Sequence, residues 1–446
     1  VSGGTNVAIG YQPLYNGTAN SYAVAIGARA GYYSTANYNV YVGNSAGRES
    51  RAGIEQTYIG KNAGYYATGS YNTFVGSDAG KGGTTSAPFS SGEKNVAMGY
   101  EAMRYFTTGN NNVAIGYKAG RLITTAINSV AVGTGAADDA TTGGQFVAIG
   151  AAAAGTVTTD SNYVAVGYSA GQNWVSGIGA RYNTALGYAA NTNGGPGIHV
   201  TAIGANAGMY ATGSYNTFVG SDAGKGATTS APFSSGQNNT AVGYKALTAF
   251  TTGGSNTAIG WEAGSELTTG AQNVFIGYQA GDSSTDTNNT IAIGHEAGRD
   301  ADLGDYAVYI GTYSGLSATG ASNTLVGYGT GTRLSSGTSN TYMGASAGAG
   351  NHTGAGNVYI GYESGKGVND NANSNNVGIG YRALYSVTTG HDSIAIGYEA
   401  LRSYLGGDNN IAIGYQAGYS LTTARYNVLI GDHAGYSLTS TSDSNE

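Results

Sequence analysis

Asn112-Val113-Ala114-Ile115-Gly116-Tyr117 decides the fold, because Asn6-Val7-Ala8-Ile9-Gly10-Tyr11 and Asn410-Ile411-Ala412-Ile413-Gly414-Tyr415 repeat it almost letter for letter. Self-similarity at a short fixed period marks a repeat architecture. The glycine of the phrase recurs twenty-five times, at 10, 27, 43, 60, 76, 99, 116, 133, 150, 167, 187, 204, 220, 243, 260, 277, 294, 311, 327, 344, 361, 380, 397, 414 and 431; sixteen of the twenty-four spacings are 17 residues and four are 16.

Aligned on that glycine, the third residue before it is always Val, Ile or Thr and the residue just before it is always Ile, Val, Leu or Met. This period-two pattern predicts a strand with one apolar face, and the Val/Ile columns are its predicted buried side. Between them stands mostly Ala, replaced by an aromatic at Tyr41, Phe74, Phe218 and Tyr359, so the other face is packed within the coil or against a neighbouring chain. Ala stands three residues after the glycine in twenty-one copies, often followed by Gly, which predicts a corner. Thr107-Thr108-Gly109 and Thr388-Thr389-Gly390 then read as a second short strand and its turn. Glycine every few residues and β-branched columns argue against helix.

The expected fold is therefore all-β: a parallel β-solenoid, or β-roll, of about 25 coils with a dominant 17-residue repeat, forming one continuous rod over residues 1–435 with a flexible tail at 436–446. At about 3.3 Å per residue a coil has a perimeter near 56 Å, and stacking at about 4.8 Å gives a length on the order of 115 Å. A lone coil cannot repay its ordering entropy, so stability must come from stacking like on like. Asn stands four residues before the glycine in sixteen copies, including Asn72, Asn239 and Asn427, either as an internal ladder or as a turn residue at strand entry. No polar cap is evident at Val1, so the rod is expected to continue or dock there, and a homotrimer or an open filament is the expected assembly.

Composition agrees with a periodic fibre. There are 78 Gly, 37 Tyr and 4 Pro, and charged residues make up 10% of the chain against roughly 25% in ordinary soluble domains. The net charge of −7 is spread without a basic run, which argues against nucleic acid or an anionic membrane as partner. Without cysteine there is no disulfide, zinc-thiolate site or thiol catalysis, and no apolar run approaches a membrane span or a signal peptide.

Residues 64–100 recur at 208–244 with 31 of 37 identical, within a larger duplication of about 60–167 with 204–311. Both copies carry the enlargement Thr-Thr-Ser-Ala-Pro-Phe, at 84–89 and 228–233, and proline should push it out as a loop. Pro88, Phe89, Pro232 and Phe233 are the first candidate recognition residues. Further enlargements surround Trp174, also a candidate, and Val368-Asn369-Asp370-Asn371. Tyr follows the anchor glycine in twelve units, among them Tyr100, Tyr117, Tyr244, Tyr278, Tyr381, Tyr398 and Tyr415. Stacked coil on coil, these form aromatic ladders that bind sugars, join rods laterally or cover the coil edge.

The phrases Asn256-Thr257-Ala258-Ile259-Gly260 and Asn128-Ser129-Val130-Ala131-Val132-Gly133 resemble the head repeats of trimeric autotransporter adhesins of the YadA type and similar repeats of bacteriophage tail fibres. The resemblance covers nearly the whole chain. It implies a trimeric parallel β-roll used for attachment at a cell surface or on a virion, and it carries over no ligand site. The adhesin head repeat is shorter than 17 residues, and no coiled-coil stalk or membrane anchor accompanies this one.

Catalytic and metal patterns are weak. His199, His295, His352, His391 and His433 occupy different positions in their units, and Asp138-Asp139, Asp300/Asp302 and Asp432-His433 lack the Gly-Gly-x-Gly-x-Asp pattern of calcium-binding rolls. Gly329-Thr330-Gly331 has no phosphate-loop lysine, and Glu262, Glu266 and Glu296 would need a cleft to act together. No enzyme and no cofactor are expected. The expected role is the structural rod of an extracellular attachment fibre, with a glycan-binding module or a self-polymerising filament as alternatives.

Overall fold

The computed structural model describes residues 4–18, 20–83, 89–174, 181–195, 197–227, 233–368 and 371–439. They contain twenty-five three-residue strands, numbered in chain order from β1 (Val7–Ile9) to β25 (Val428–Ile430), each ending at an anchor glycine. Among the described residues there is no helix, and hence none long and apolar enough to cross a membrane.

The chain divides into two compact units, residues 1–222 with 229–233 and residues 223–228 with 234–446. In the first, β1 to β13 (Thr217–Val219) pair in parallel and in register, so that Val113 faces Val130, Ala114 faces Ala131 and Ile115 faces Val132. In the second, β14 (Thr240–Val242) to β25 repeat the arrangement, with Ile394 opposite Ile411 and Ile396 opposite Ile413. The fold is an all-β parallel β-solenoid with a dominant 17-residue coil.

Two expectations need correction. The Thr-Thr-Gly segments are not strands: the N–H groups of Thr107, Thr108 and Gly109 all donate to the Thr124 carbonyl, at 2.9, 3.1 and 3.0 Å. Three successive donors converging on one acceptor belong to a turning chain, whereas a strand alternates its donors between its two sides. Each coil thus has one strand and a run of turns.

The strand faces are also reversed. Ala114, Ala131 and Ala148 at the strand centres are fully buried, as are Tyr41, Tyr58, Phe74 and Tyr359 in the same column, while Ile26, Ile59, Ile115, Ile149 and Ile259 just before the glycines are exposed. The coil is too narrow to hold two β-branched side chains per strand. One central side chain enters instead, and its size is matched from the corner: where the centre is Ala114, Ile123 fills the core, and where it is Ala165, Trp174 does. Where the centre is Tyr58 or Tyr309, the corresponding corner residue is Ala67 or Ala318.

The corners rest on left-handed backbone. Asn111 before the strand and Lys118 after it have φ of 57° and 56°, and their N–H groups donate to Glu93 and Tyr100 one coil back, at 3.1 and 2.9 Å. A positive φ turns the amide toward the neighbouring coil, and that hydrogen bond offsets the local steric cost. Gly116, at φ 134°, has no alternative: a Cβ there would lie 2.6 Å from the Gly133 carbonyl oxygen.

The Asn column is an internal ladder. Asn340 N–H donates to Asn323 Oδ1 at 3.0 Å, its Nδ2 donates to the Gly354 carbonyl at 2.9 Å, and its own Oδ1 accepts from Asn357 N–H at 3.0 Å. Each side chain thereby satisfies main-chain groups inside the coil that no strand partner reaches. Gln56 serves in the same way, with its N–H on Asn39 Oδ1 at 2.8 Å and its Nε2 on the Gly69 carbonyl at 2.6 Å.

Candidate functional site

Because the strand centres point inward, the surface of each strand ladder carries the Val/Ile columns, and Tyr side chains border them. Tyr100 and Tyr117 stack at 5.5 Å and 13°, while Tyr381 stacks on Tyr398 at 5.0 Å and 7° and Tyr398 on Tyr415 at 5.1 Å and 8°. Tyr244 packs on Trp261 at 4.3 Å, and Tyr278 on His295 at 5.0 Å. All seven predicted ladder tyrosines therefore have an aromatic neighbour one coil away. In the stacked runs each ring face is covered by the next ring, which leaves edges and hydroxyls to solvent. A second aromatic column, preceding the Asn ladder, went unnoticed in the sequence: Tyr22 stacks on Tyr38, and Tyr182, His199 and Tyr215 form a continuous stack.

Pro88 and Pro232 lie outside the described residues, as do most of the two enlarged loops, residues 369 and 370, and the tail from 440. Phe89 stacks on Tyr66 at 5.9 Å beneath the Arg51 guanidinium at 5.3 Å, and Phe233 stacks on Tyr210 at 6.1 Å. Trp174, predicted as a recognition residue, is only 1% exposed and donates through Nε1 to Asn191 Oδ1 at 2.6 Å. It is a core residue, required there by the small Ala165 beside it.

The acidic candidates are occupied within the fold. Asp302 accepts from the Thr285 N–H and hydroxyl, both at 2.8 Å, and its charge holds the neighbouring Asp286 carboxyl above the ordinary range. Asp138 is raised by burial, against the opposing pull of Arg121 at 2.8 Å. Glu262 accepts from Gln279 at 2.9 Å, Glu296 pairs with Arg299, and Asp432 lies 3.0 Å from His433.

Two features were hidden by sequence distance. Lys366, Arg382 and Arg402 place their cations 5.5, 5.2 and 5.4 Å from the Tyr385 ring centroid, and Glu363 binds the first two at 2.6 and 2.7 Å. Lys366, Tyr385 and Arg402 each stand five residues after an anchor glycine in three successive coils, which was the available signal. The second is a cavity of about 390 Å³ in the second unit, lined by Tyr313, Leu316, Tyr328, Gly329, Thr332, Ser346 and Ala349. Thr332 also borders a depression of about 220 Å³ formed with Ser317, Arg333, Ser335 and His352.

No protein-family model matches this chain, and no curated protein matches it.

Proposed function

We propose that the chain is a structural segment of an extracellular attachment fibre, exposed on a cell surface or a virion, and that it associates with copies of itself through the outer face of its strand ladders. The observation that carries this reading is the in-register outer face of each strand ladder, where Ile26, Ile59, Ile115, Ile149, Ile259 and Ile310 are exposed beside half-buried Val, Ile and Thr. Contiguous apolar surface of this kind marks an interaction site. The twelve three-residue strands of the second unit, at about 4.8 Å spacing and about 10 Å width, present roughly 570 Å², about two thirds of what one partner contributes to a standard protein interface. The low charge of the chain and its resemblance to adhesin head and tail-fibre repeats support the same reading.

The test joins sedimentation equilibrium with electron cryomicroscopy of the purified chain and a surface-adhesion assay. A closed trimer that adheres supports the fibre segment, and indefinitely long filaments identify the self-polymerising variant. A monomer that adheres to nothing overturns the proposal.

A further inference from the structure

Where ladder tyrosines are both stacked and exposed, two phenol rings are held against each other within reach of solvent. Tyr362, Tyr381, Tyr398 and Tyr415 follow the anchor glycines of four successive coils in the second unit and are 47%, 36%, 43% and 47% exposed. Tyr362 stacks on Tyr381 at 5.4 Å and 13°, and the next two contacts are closer and flatter, at 5.0 Å and 7° and at 5.1 Å and 8°. The register sets this spacing, because Ile379 faces Ile396 and Ile396 faces Ile413, which carries the tyrosine after each following glycine one strand spacing from the next.

The same unit separates contact from access at two other places. Tyr342 and Tyr359 stack at 5.1 Å and 21° but are fully buried. Tyr306 is 67% exposed, more than any of the four ladder rings, but the residues one coil before and after it in its column are Asn289 and Ser322. The ladder combines the two properties that a reaction between neighbouring phenols needs.

We propose that this ladder is a site of oxidative cross-linking, at which a peroxidase-type one-electron oxidant fed with hydrogen peroxide joins Tyr398 to Tyr381 or to Tyr415 as dityrosine within one chain. Each ring gives one electron to the oxidant and its phenolic proton to water. The two phenoxyl radicals pair their odd electrons in a bond between carbons ortho to the oxygens, and the hydrogens on those carbons pass to the oxygens, restoring both phenols. The peroxide takes up the two electrons and two protons and leaves as water. Bond formation begins between p orbitals that project from the ring faces, so face-to-face stacking presents the reacting carbons to each other. Holding them there makes the coupling effectively unimolecular. The product ties successive coils covalently, and a link that closes a loop lowers the entropy of the unfolded chain, as a disulfide does. The inference goes beyond the attachment reading and does not depend on it.

The test treats the full chain with a peroxidase and hydrogen peroxide at neutral pH, then follows dityrosine fluorescence, tryptic peptides by mass spectrometry, and melting. Trypsin cuts after Arg382 and Arg402, so each staple joins two peptides that are otherwise separate. Bridges from Tyr398 to Tyr381 or Tyr415 are expected in chains that still run as monomers on a denaturing gel, with an upward shift in melting temperature. Bridging at Tyr306, or between Tyr342 and Tyr359, should be at least about tenfold lower. Tyr398→Phe keeps a ring in the stack, so the untreated melting curve should stay unchanged while the bridged peptides disappear. Asn289→Tyr, at a left-handed position that Tyr22, Tyr38 and Tyr306 occupy in other coils, should create a bridge to Tyr306. If the same peptides stay joined in Tyr398→Phe, the link runs through another tyrosine such as Tyr385 and the site is overturned. Links formed only between chains, bridging at Tyr306 of the parent chain equal to that of the ladder, or no dityrosine at all overturn it equally.

Discussion

Ala114 and Ile115 are neighbours in the chain and belong to opposite worlds: Ala114 is completely buried in the coil, and Ile115 is 38% exposed on its outer face. A charge introduced at the first position enters an apolar interior, whereas a charge at the second meets water. Ala114→Asp should cost more than about 3 kcal/mol and Ile115→Asp less than about 1 kcal/mol in urea unfolding of the isolated chain. If the exterior band is a self-association surface, Ile115→Asp combined with Ile149→Asp lowers the assembly state in sedimentation without lowering the melting temperature. Similar destabilisation by Ala114→Asp and Ile115→Asp would show that the faces are misassigned.

The Asn ladder predicts a graded series. Asn340→Ala removes the acceptor of Asn357 N–H and the donor to the Gly354 carbonyl, both inside the coil. The loss should be about 2–3 kcal/mol. Asn340→Ser should cost less, since Ser129 and Ser393 occupy the same column naturally. Amide hydrogen exchange at Asn357 is the direct readout, and exchange as slow in the Ala variant as in the parent would refute the ladder's role.

The matching of strand centre to corner predicts compensation. Ala114→Phe alone overfills the coil, at about 1–3 kcal/mol, and Ile123→Ala alone leaves a cavity, at about 2–5 kcal/mol. Gly120, like the glycines beside Tyr58 and Tyr309, leaves room for a ring. The double variant should recover at least about 1 kcal/mol relative to the sum. Simple additivity in denaturant titrations would count against the matching rule.

Alkaline pH should separate two tyrosine populations. Burial pushes Tyr41 up to about 12 and holds Tyr58 and Tyr359 well above their ordinary value. Below pH 10 these groups are protonated whether folded or unfolded. Above it the unfolded chain ionises first, so stability falls as the pH climbs from 10 toward 12. Phenolate absorbance should rise in two stages, the second coinciding with loss of the β circular-dichroism signal; a single stage with no loss of stability contradicts the burial.

The repeat period, the parallel register and the all-β class were legible because glycine, β-branched and Asn columns recur at fixed offsets. The direction of the strand faces was not. Val113 and Ile115 look like core by hydropathy, and only the narrowness of a 17-residue coil with a single strand sends them outward while Ala114 goes in. Reciprocal sizes at Ala114/Ile123 and Tyr58/Ala67 were present in the letters as a clue to which column was inside. The tyrosine ladders could be foreseen from one column, but the cavity lined by Tyr313, Tyr328 and Ser346 depends on which side chains successive coils bring together, and that is read only after the coils are stacked.

Because each coil is fastened to the next by short bonds such as Val113 N–H to the Ser129 carbonyl at 2.9 Å, the fold also has a mechanical character. Tension applied across the stack of coils within a unit would load these bonds one coil at a time, as in peeling tape. Each released coil would add slack of about 55 Å from its 17 residues. Force spectroscopy would record that as a train of evenly spaced, low steps, the behaviour of a shock absorber that yields gradually and rewinds from whatever coils remain.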